Sequence, residues 1–124
     1  MPARDAHIQQ AEHNEALFVH LATSSPTYLD WQVTSLFYAA LHYVDAQLAT
    51  LPAGGMHPTS HALRNNCVAT HTSLKPVYVG YQELQNRSID ARYDLVPFTP
   101  AGVAQLRTVH FESLKAHLRR LLGI

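Results

Sequence analysis

Arg64 and His71 are the residues whose types and spacing point most directly to chemistry. They bracket the segment RNNCVATH and stand seven positions apart. On a helix this is two turns, about 10 Å along the axis, and nearly the same face. A guanidinium grips a phosphate through paired N–H donors and stabilises charge developing on it. An imidazole moves a proton near neutral pH. The pair therefore suits a phosphate substrate, although the same spacing on an exposed polar helix also arises with no chemical consequence. His42 and Asp45, three apart, are a second combination. An aspartate can hold an imidazole in one tautomer, half of an acid–base arrangement. The plainer reading, preferred here, pairs both groups inside a helix–helix or subunit interface.

The other histidines suggest no metal site, and no metal or cofactor is expected. His110 and His117 lie two turns apart, too far to share one ion on a straight helix. No Glu-x-x-His pair exists to build a di-metal bundle site. His57, His61 and His71 are too loosely arranged for zinc. Cys67, the single cysteine, has no CxxC partner and reads as a small buried residue.

The elements that must position these groups are helices. The segment from Trp31 to Leu51 has neither Pro nor Gly, and Val33, Leu36, Phe37, Ala40, Leu41, Val44, Leu48 and Leu51 share one broad apolar face. Trp31, Tyr38, His42 and Asp45 form a second stripe on its other side. A helix with two such faces is expected to be covered twice, the second time by another helix, a second copy of the chain, or a ligand.

A first helix is expected over Asp5–Ala22, burying Ile8, Ala11, Glu15, Phe18, Val19 and Ala22. Ser25–Pro26 reads as the cap and first turn of the second helix. A third helix follows Thr59 or Ser60 and runs to about Thr72, with Leu63, Cys67, Thr70 and Leu74 as its buried stripe. A fourth runs from about Lys75 or Pro76 to Ala91 on Val77, Gly80, Tyr81, Leu84, Ser88 and Ala91. Tyr93–Phe98 reads as a loop. Thr99–Pro100 opens the last helix, which buries Val103, Leu106, His110, Leu114, His117 and Leu121 and stops at Gly123. Lys115, Arg119 and Arg120 complement its dipole. No strand pattern and no repeat is found. The expectation is an all-α fold: an antiparallel up-and-down bundle of about five helices, in one domain over residues 1–124.

Composition sets bounds on function. A chain of 124 residues with zero formal net charge has no global field to attract nucleic acid or membrane, so any such binding is local. The longest apolar run is too short to span a bilayer. The opening MPARDAHIQQ lacks a signal-type apolar region, and one cysteine suits a reducing compartment. A cytoplasmic protein is expected, without membrane contact.

Four blocks carry a resemblance through nearly the whole chain: AEHNEALF, YLDWQVTSLFYAALHYVDAQLA, HPTSHALRN and SIDARYD. They resemble compact bacterial members of the HEPN superfamily (higher eukaryotes and prokaryotes nucleotide-binding), most specifically through FYAALHYVDA and HPxSHxxRN. The resemblance implies a helical bundle that pairs as a homodimer. It also implies a metal-independent endoribonuclease with an Arg-x4–6-His motif, which Arg64 and His71 meet at its long limit. Arg64 would then grip the scissile phosphate, and His71 would act in proton transfer as the 2′-hydroxyl attacks. His61, Asn65, Tyr43, Arg92 and Tyr93 would surround the cleft. A toxin–antitoxin role, with an antitoxin or nucleotidyltransferase as partner, follows from the same resemblance. The alternative is a non-catalytic dimeric scaffold that binds a nucleotide, RNA or a partner protein.

Overall fold

The apolar face of the central helix needs cover along its whole length, and the chain wraps around it to provide that cover. The computed structural model describes residues 3–124. The order is α1 (Arg4–Ser24), α2 (Leu29–Ala49), α3 (His61–Thr70), a 3₁₀ turn (Lys75–Val77), α4 (Tyr78–Ile89), a π-helical turn (Asp90–Asp94), α5 (Pro100–Gln105), a π-helical segment (Leu106–Phe111) and α6 (Glu112–Leu122). The last three run on without a break, so the fold is an all-α bundle of five helical rods. No strand occurs among the described residues.

Side-chain pairs give the directions. His7 meets His42, and Lys115 meets Glu15 at 2.7 Å. Arg4 donates to the Leu122 carbonyl. The rod of residues 100–122 and α2 therefore both run antiparallel to α1. Val33, Leu36, Phe37, Ala40, Val44 and Leu48 are fully buried, Leu41 nearly so. They meet Ala11 and Phe18 from α1, Tyr81 and Leu84 from α4, and Phe111, Leu114 and Leu118 from the last rod. No helix among the described residues is long and apolar enough to cross a membrane.

Local signals set several boundaries. Ser60 Oγ accepts the Leu63 N–H at 3.1 Å, and Thr99 Oγ1 accepts the Gly102 N–H at 3.0 Å with Pro100 in the first turn. Gly123 closes α6 with φ +74°. Cys67 is buried, as expected.

Other expectations are corrected. Ser25 does not cap α2. Its N–H is used at the end of α1, on Leu21 O, and its carbonyl closes a turn with Tyr28 N–H, so α2 starts at Leu29. Val19 is exposed. The fourth helix tightens into the 3₁₀ turn at its start. At its end Tyr93 and Asp94 belong to the π-helical turn rather than to a loop.

In the last rod, Leu106 is followed inward by Phe111, then Leu114, Leu118 and Leu122. His110 and His117 are only half-buried, and Leu121 is exposed. The cause is the π segment. Its i→i+5 hydrogen bonding spends one extra residue on a turn and shifts the inward face by one position.

Candidate functional site

The second face of α2 is covered from within the chain. Its four stripe residues have four different environments, and three are engaged by α1, α3 and the π turn.

Asp45 is buried at the foot of the stripe. Arg64, from the first turns of α3, donates to it twice: Nε to Oδ1 at 2.8 Å and Nη2 to Oδ2 at 3.2 Å. Nη2 also donates to Pro58 O at 3.3 Å. Both side chains are about nine-tenths removed from solvent, at 10% and 9% exposure. Burial alone would lower the guanidinium pKa, but the hydrogen bonds and charge of Asp45 outweigh that and raise it. Arg64 is thus a permanently charged buried anchor. This pairing rolls α3 so that Arg64, Cys67 and Val68 face inward and Leu63 turns out, 55% exposed. That overturns the expected buried stripe on Leu63. It also means that Asp45 orients a guanidinium rather than the His42 imidazole.

His42, one turn before Asp45, turns to α1. Its Nδ1 lies 3.0 Å from His7 Nδ1, and the two rings stack with centroids 5.3 Å apart. One nitrogen donates to the other. Both pKa values are lowered: burial is the largest cause for each, and the neighbouring His7 adds to it at His42. Both imidazoles therefore favour the neutral form more than a free imidazole does. His61 sits exposed at the start of α3, its ring 5.9 Å from that of Phe37. Partial burial, then the charges of Arg64 and Arg92, lower its pKa as well.

Tyr38 and Trp31 form the upper part of the stripe. Tyr38 Oη accepts from Arg92 Nη1 at 2.8 Å. Arg92 is pinned further by Nε to Ser88 O at 3.2 Å and Nη2 to Ser88 Oγ at 3.4 Å. Its guanidinium lies 5.4 Å from the Tyr38 ring centre and 5.0 Å from that of Tyr93. All its hydrogen-bond partners are neutral, and among the described residues no ion pair includes it. The π turn creates this arrangement by placing Arg92 and Tyr93 side by side at the surface, before Leu95 reverses the chain at φ +54°. Trp31, 57% exposed, and Tyr93, 70% exposed, flank a cavity of about 340 Å³ with Asp30, Thr34 and Arg92 in its wall.

The remaining sequence candidates lie elsewhere. His71 is not on α3: the helix ends at Thr70, and His71 is extended at φ −78°, ψ 129°. Its Nδ1 faces Ser73 Oγ at 2.9 Å, and His117 Nε2 meets Ser73 O at 2.9 Å. His71 is the cap residue that ends α3, its N–H still donating to Cys67 O at 2.9 Å, and the side chains of Arg64 and His71 have different partners. Tyr43 is fully buried on another side of α2, its hydroxyl accepting from Arg119 at 3.4 Å. Asn65 is half-buried, and its Oδ1 has no hydrogen-bond partner among the described residues. Lys115 pairs with Glu15 and Glu112 rather than serving the helix end alone.

Sequence reasoning missed His7. The only available signal was its spacing, one turn before Ala11 and on the side of α1 that leads to Phe18. Sequence spacing also named no metal-ligand set, yet the fold gathers His7, His42 and Asp45 with their ligand-type atoms all within 4.8 Å of one another. Neither protein-family models, nor curated proteins, nor solved structures provide a match to this chain.

Proposed function

We propose that this chain is a single-stranded RNA-binding helical domain of HEPN type, and that the Trp31–Tyr38–Arg92–Tyr93 face is where it holds RNA. The observation that carries this reading is Arg92: a half-buried guanidinium, held in place by neutral acceptors, with no carboxylate paired to it. A fixed cation without a counter-ion suits a phosphate. The exposed rings of Trp31 and Tyr93 beside it suit stacked bases, which is how single strands are held without strict sequence preference. The cavity is at the small end for a ligand site and of a size for a base. Asp30 on its wall is an acceptor for an exocyclic amine.

The cleavage that the resemblance implies asks more of Arg64. Its Nε and Nη2 are committed to Asp45 and Pro58 O, so to grip a phosphate with paired donors it would have to give up part of its hold on Asp45, a buried carboxylate. Binding without cutting is therefore the reading adopted, with the homodimer of the resemblance as its working assembly. Zero net charge fits a few-contact binder. With one or two phosphate contacts, the slope of log K against log salt is shallow, about −0.7 to −1.4.

The test is fluorescence anisotropy with a labelled single-stranded RNA oligonucleotide in EDTA, with RNA integrity read on a gel. Arg92→Ala and Tyr93→Ala should weaken binding by roughly 5- to 150-fold each, the range of one stacked base or charged contact. Arg64→Met and His71→Ala should leave the RNA as uncut as the parent does. Unchanged affinity in Arg92→Ala would overturn the proposal. Products with 2′,3′-cyclic phosphate ends, lost in Arg64→Met and His71→Ala, would establish the cleavage reading instead.

A further inference from the structure

The cluster of His7, His42 and Asp45 lies below the proposed RNA face and plays no part in it. From the arrangement of these side chains we infer a binding site for a divalent transition-metal ion of zinc type, with two imidazole Nδ1 atoms and one carboxylate oxygen as ligands. Donors in adjacent positions around an ion at about 2.1 Å lie about 3.0 Å apart in octahedral geometry and about 3.4 Å apart in tetrahedral geometry. The two Nδ1 atoms stand 3.0 Å apart, and the Asp45 carboxylate completes a set within 4.8 Å.

The elements supply the ligands in a way that suits a bundle. His42 and Asp45 are three apart on one helix, and His7 comes from the antiparallel neighbour. Inward pairs at i, i+3 with a ligand from a facing helix are how helical bundles build metal sites. Two imidazoles and one carboxylate is a set that zinc and its neighbours accept, with the remaining positions left to water.

The surroundings fit as well. The two Nδ1 atoms already face each other, and only the imidazole that donates its Nδ1–H has to move that proton to Nε2. Arg64 uses one lone pair on each Asp45 oxygen and leaves others for an ion. It also fixes the carboxylate, as outer-shell partners of metal ligands do. Its positive charge opposes a dication, so the expected affinity is micromolar rather than nanomolar. With no ion bound, the same geometry is one hydrogen bond between neutral imidazoles.

Isothermal titration of the purified, chelator-stripped full chain with zinc chloride is the test, followed by cobalt(II) absorption. One zinc per chain is expected. At a hundredfold excess of zinc over Kd, Tm should rise by roughly 10 °C. His7→Ala, at a half-buried position near the start of α1, should weaken binding at least about 100-fold, beyond the usual outer-shell effect. His42→Ala should do the same, whereas His20→Ala, an exposed control, should change nothing. Cobalt should give d–d bands that His7→Ala abolishes. The inference is overturned if zinc binds His7→Ala within threefold of the parent. It is equally overturned if no saturable binding occurs up to millimolar zinc, or if His20→Ala weakens binding as much as His7→Ala does. RNA plays no part in these readouts, so they fail or succeed apart from the proposed function.

Discussion

Replacing Arg64 by Met tests whether this guanidinium is a structural anchor or a group available to a ligand. The change removes three hydrogen bonds, two to Asp45 at 2.8 and 3.2 Å and one to Pro58 O at 3.3 Å. It also leaves a carboxylate that is only 9% exposed without its charge partner. Removing one member of a buried pair costs about 3–5 kcal/mol, because the stranded charge stays desolvated. Methionine keeps most of the volume, so little cavity term is added.

For a chain of this length the expected loss in Tm is roughly 10–20 °C. The second arm is the double variant Arg64→Met with Asp45→Leu. Removing both charges abolishes the stranded group, so stability should return to within about 2 kcal/mol of the parent. Urea unfolding followed by far-ultraviolet circular dichroism at pH 7.5, in EDTA and at two protein concentrations, reads both. A cost below about 1 kcal/mol for Arg64→Met, as solvent-screened pairs give, would refute the buried-anchor role. Arg64 would then be free to leave Asp45, and the case for setting it aside as a phosphate clamp would fall with it.

Other expectations follow from single positions. Gly55 holds φ +81°, and a Cβ there would sit 2.5 Å from Ala49 O. Gly55→Ala should cost about 2 kcal/mol or more in urea unfolding. Gly80 is different: it has an ordinary helical φ, and its added Cβ would meet His110 no closer than 3.6 Å. Gly80→Ala should therefore raise stability by about 0.5–1 kcal/mol in the same assay. His7, His42 and His61 have pKa values below the ordinary 6.5 in the fold, chiefly through burial. The unfolded chain binds protons first, so stability should be flat above about pH 7 and decline as pH falls through 6.5 towards the folded-state values. A urea midpoint unchanged between pH 7.5 and 5.5, in EDTA, would contradict this.

Wherever a few neighbouring residues decide the outcome, the structure was legible in the sequence. Ser60, Thr99–Pro100 and Gly123 each bring a hydrogen bond or a backbone angle of their own. The apolar face of α2 was legible too, because one helix carries its full period. What stayed hidden depends on residues remote in sequence. Leu63 looks like the better core residue on a polar helix, but the Asp45 carboxylate on α2 selects Arg64 for the interior and rolls α3 with it. His42 and Asp45 are paired inside helix–helix interfaces, as the preferred reading had it, but their partners, His7 and Arg64, lie on other helices and no spacing names them. Ser25–Pro26 shows a local signal losing to its context, since the end of α1 uses the Ser25 N–H first. Arg92 and Tyr93 entered as cleft residues through the resemblance alone. Their juxtaposition comes from a π turn that no periodicity marks.

The π segment at Leu106–Phe111 leads to a final prediction, since it explains why the last helix buries Phe111, Leu118 and Leu122 in place of His110, His117 and Leu121. If the segment is one residue too many accommodated within a turn, deleting a residue inside it should repair the helix. Thr108 is exposed there and bonds only the Ala104 carbonyl. Its deletion would shorten the step from Leu106 to Phe111 to four, the α-helical interval, and leave every downstream core residue on its present face. Stability should change by about 1 kcal/mol or less. Deleting Ala116, equally exposed but in regular α-helix, should instead rotate Leu118 and Leu122 out of the core. Each contributes about 1.5–3 kcal/mol by burial, so the loss should be about 3–6 kcal/mol in urea unfolding. Equal damage from both deletions would show that the π turn is held by contacts of its own rather than by a surplus residue. The register shift would then need another cause.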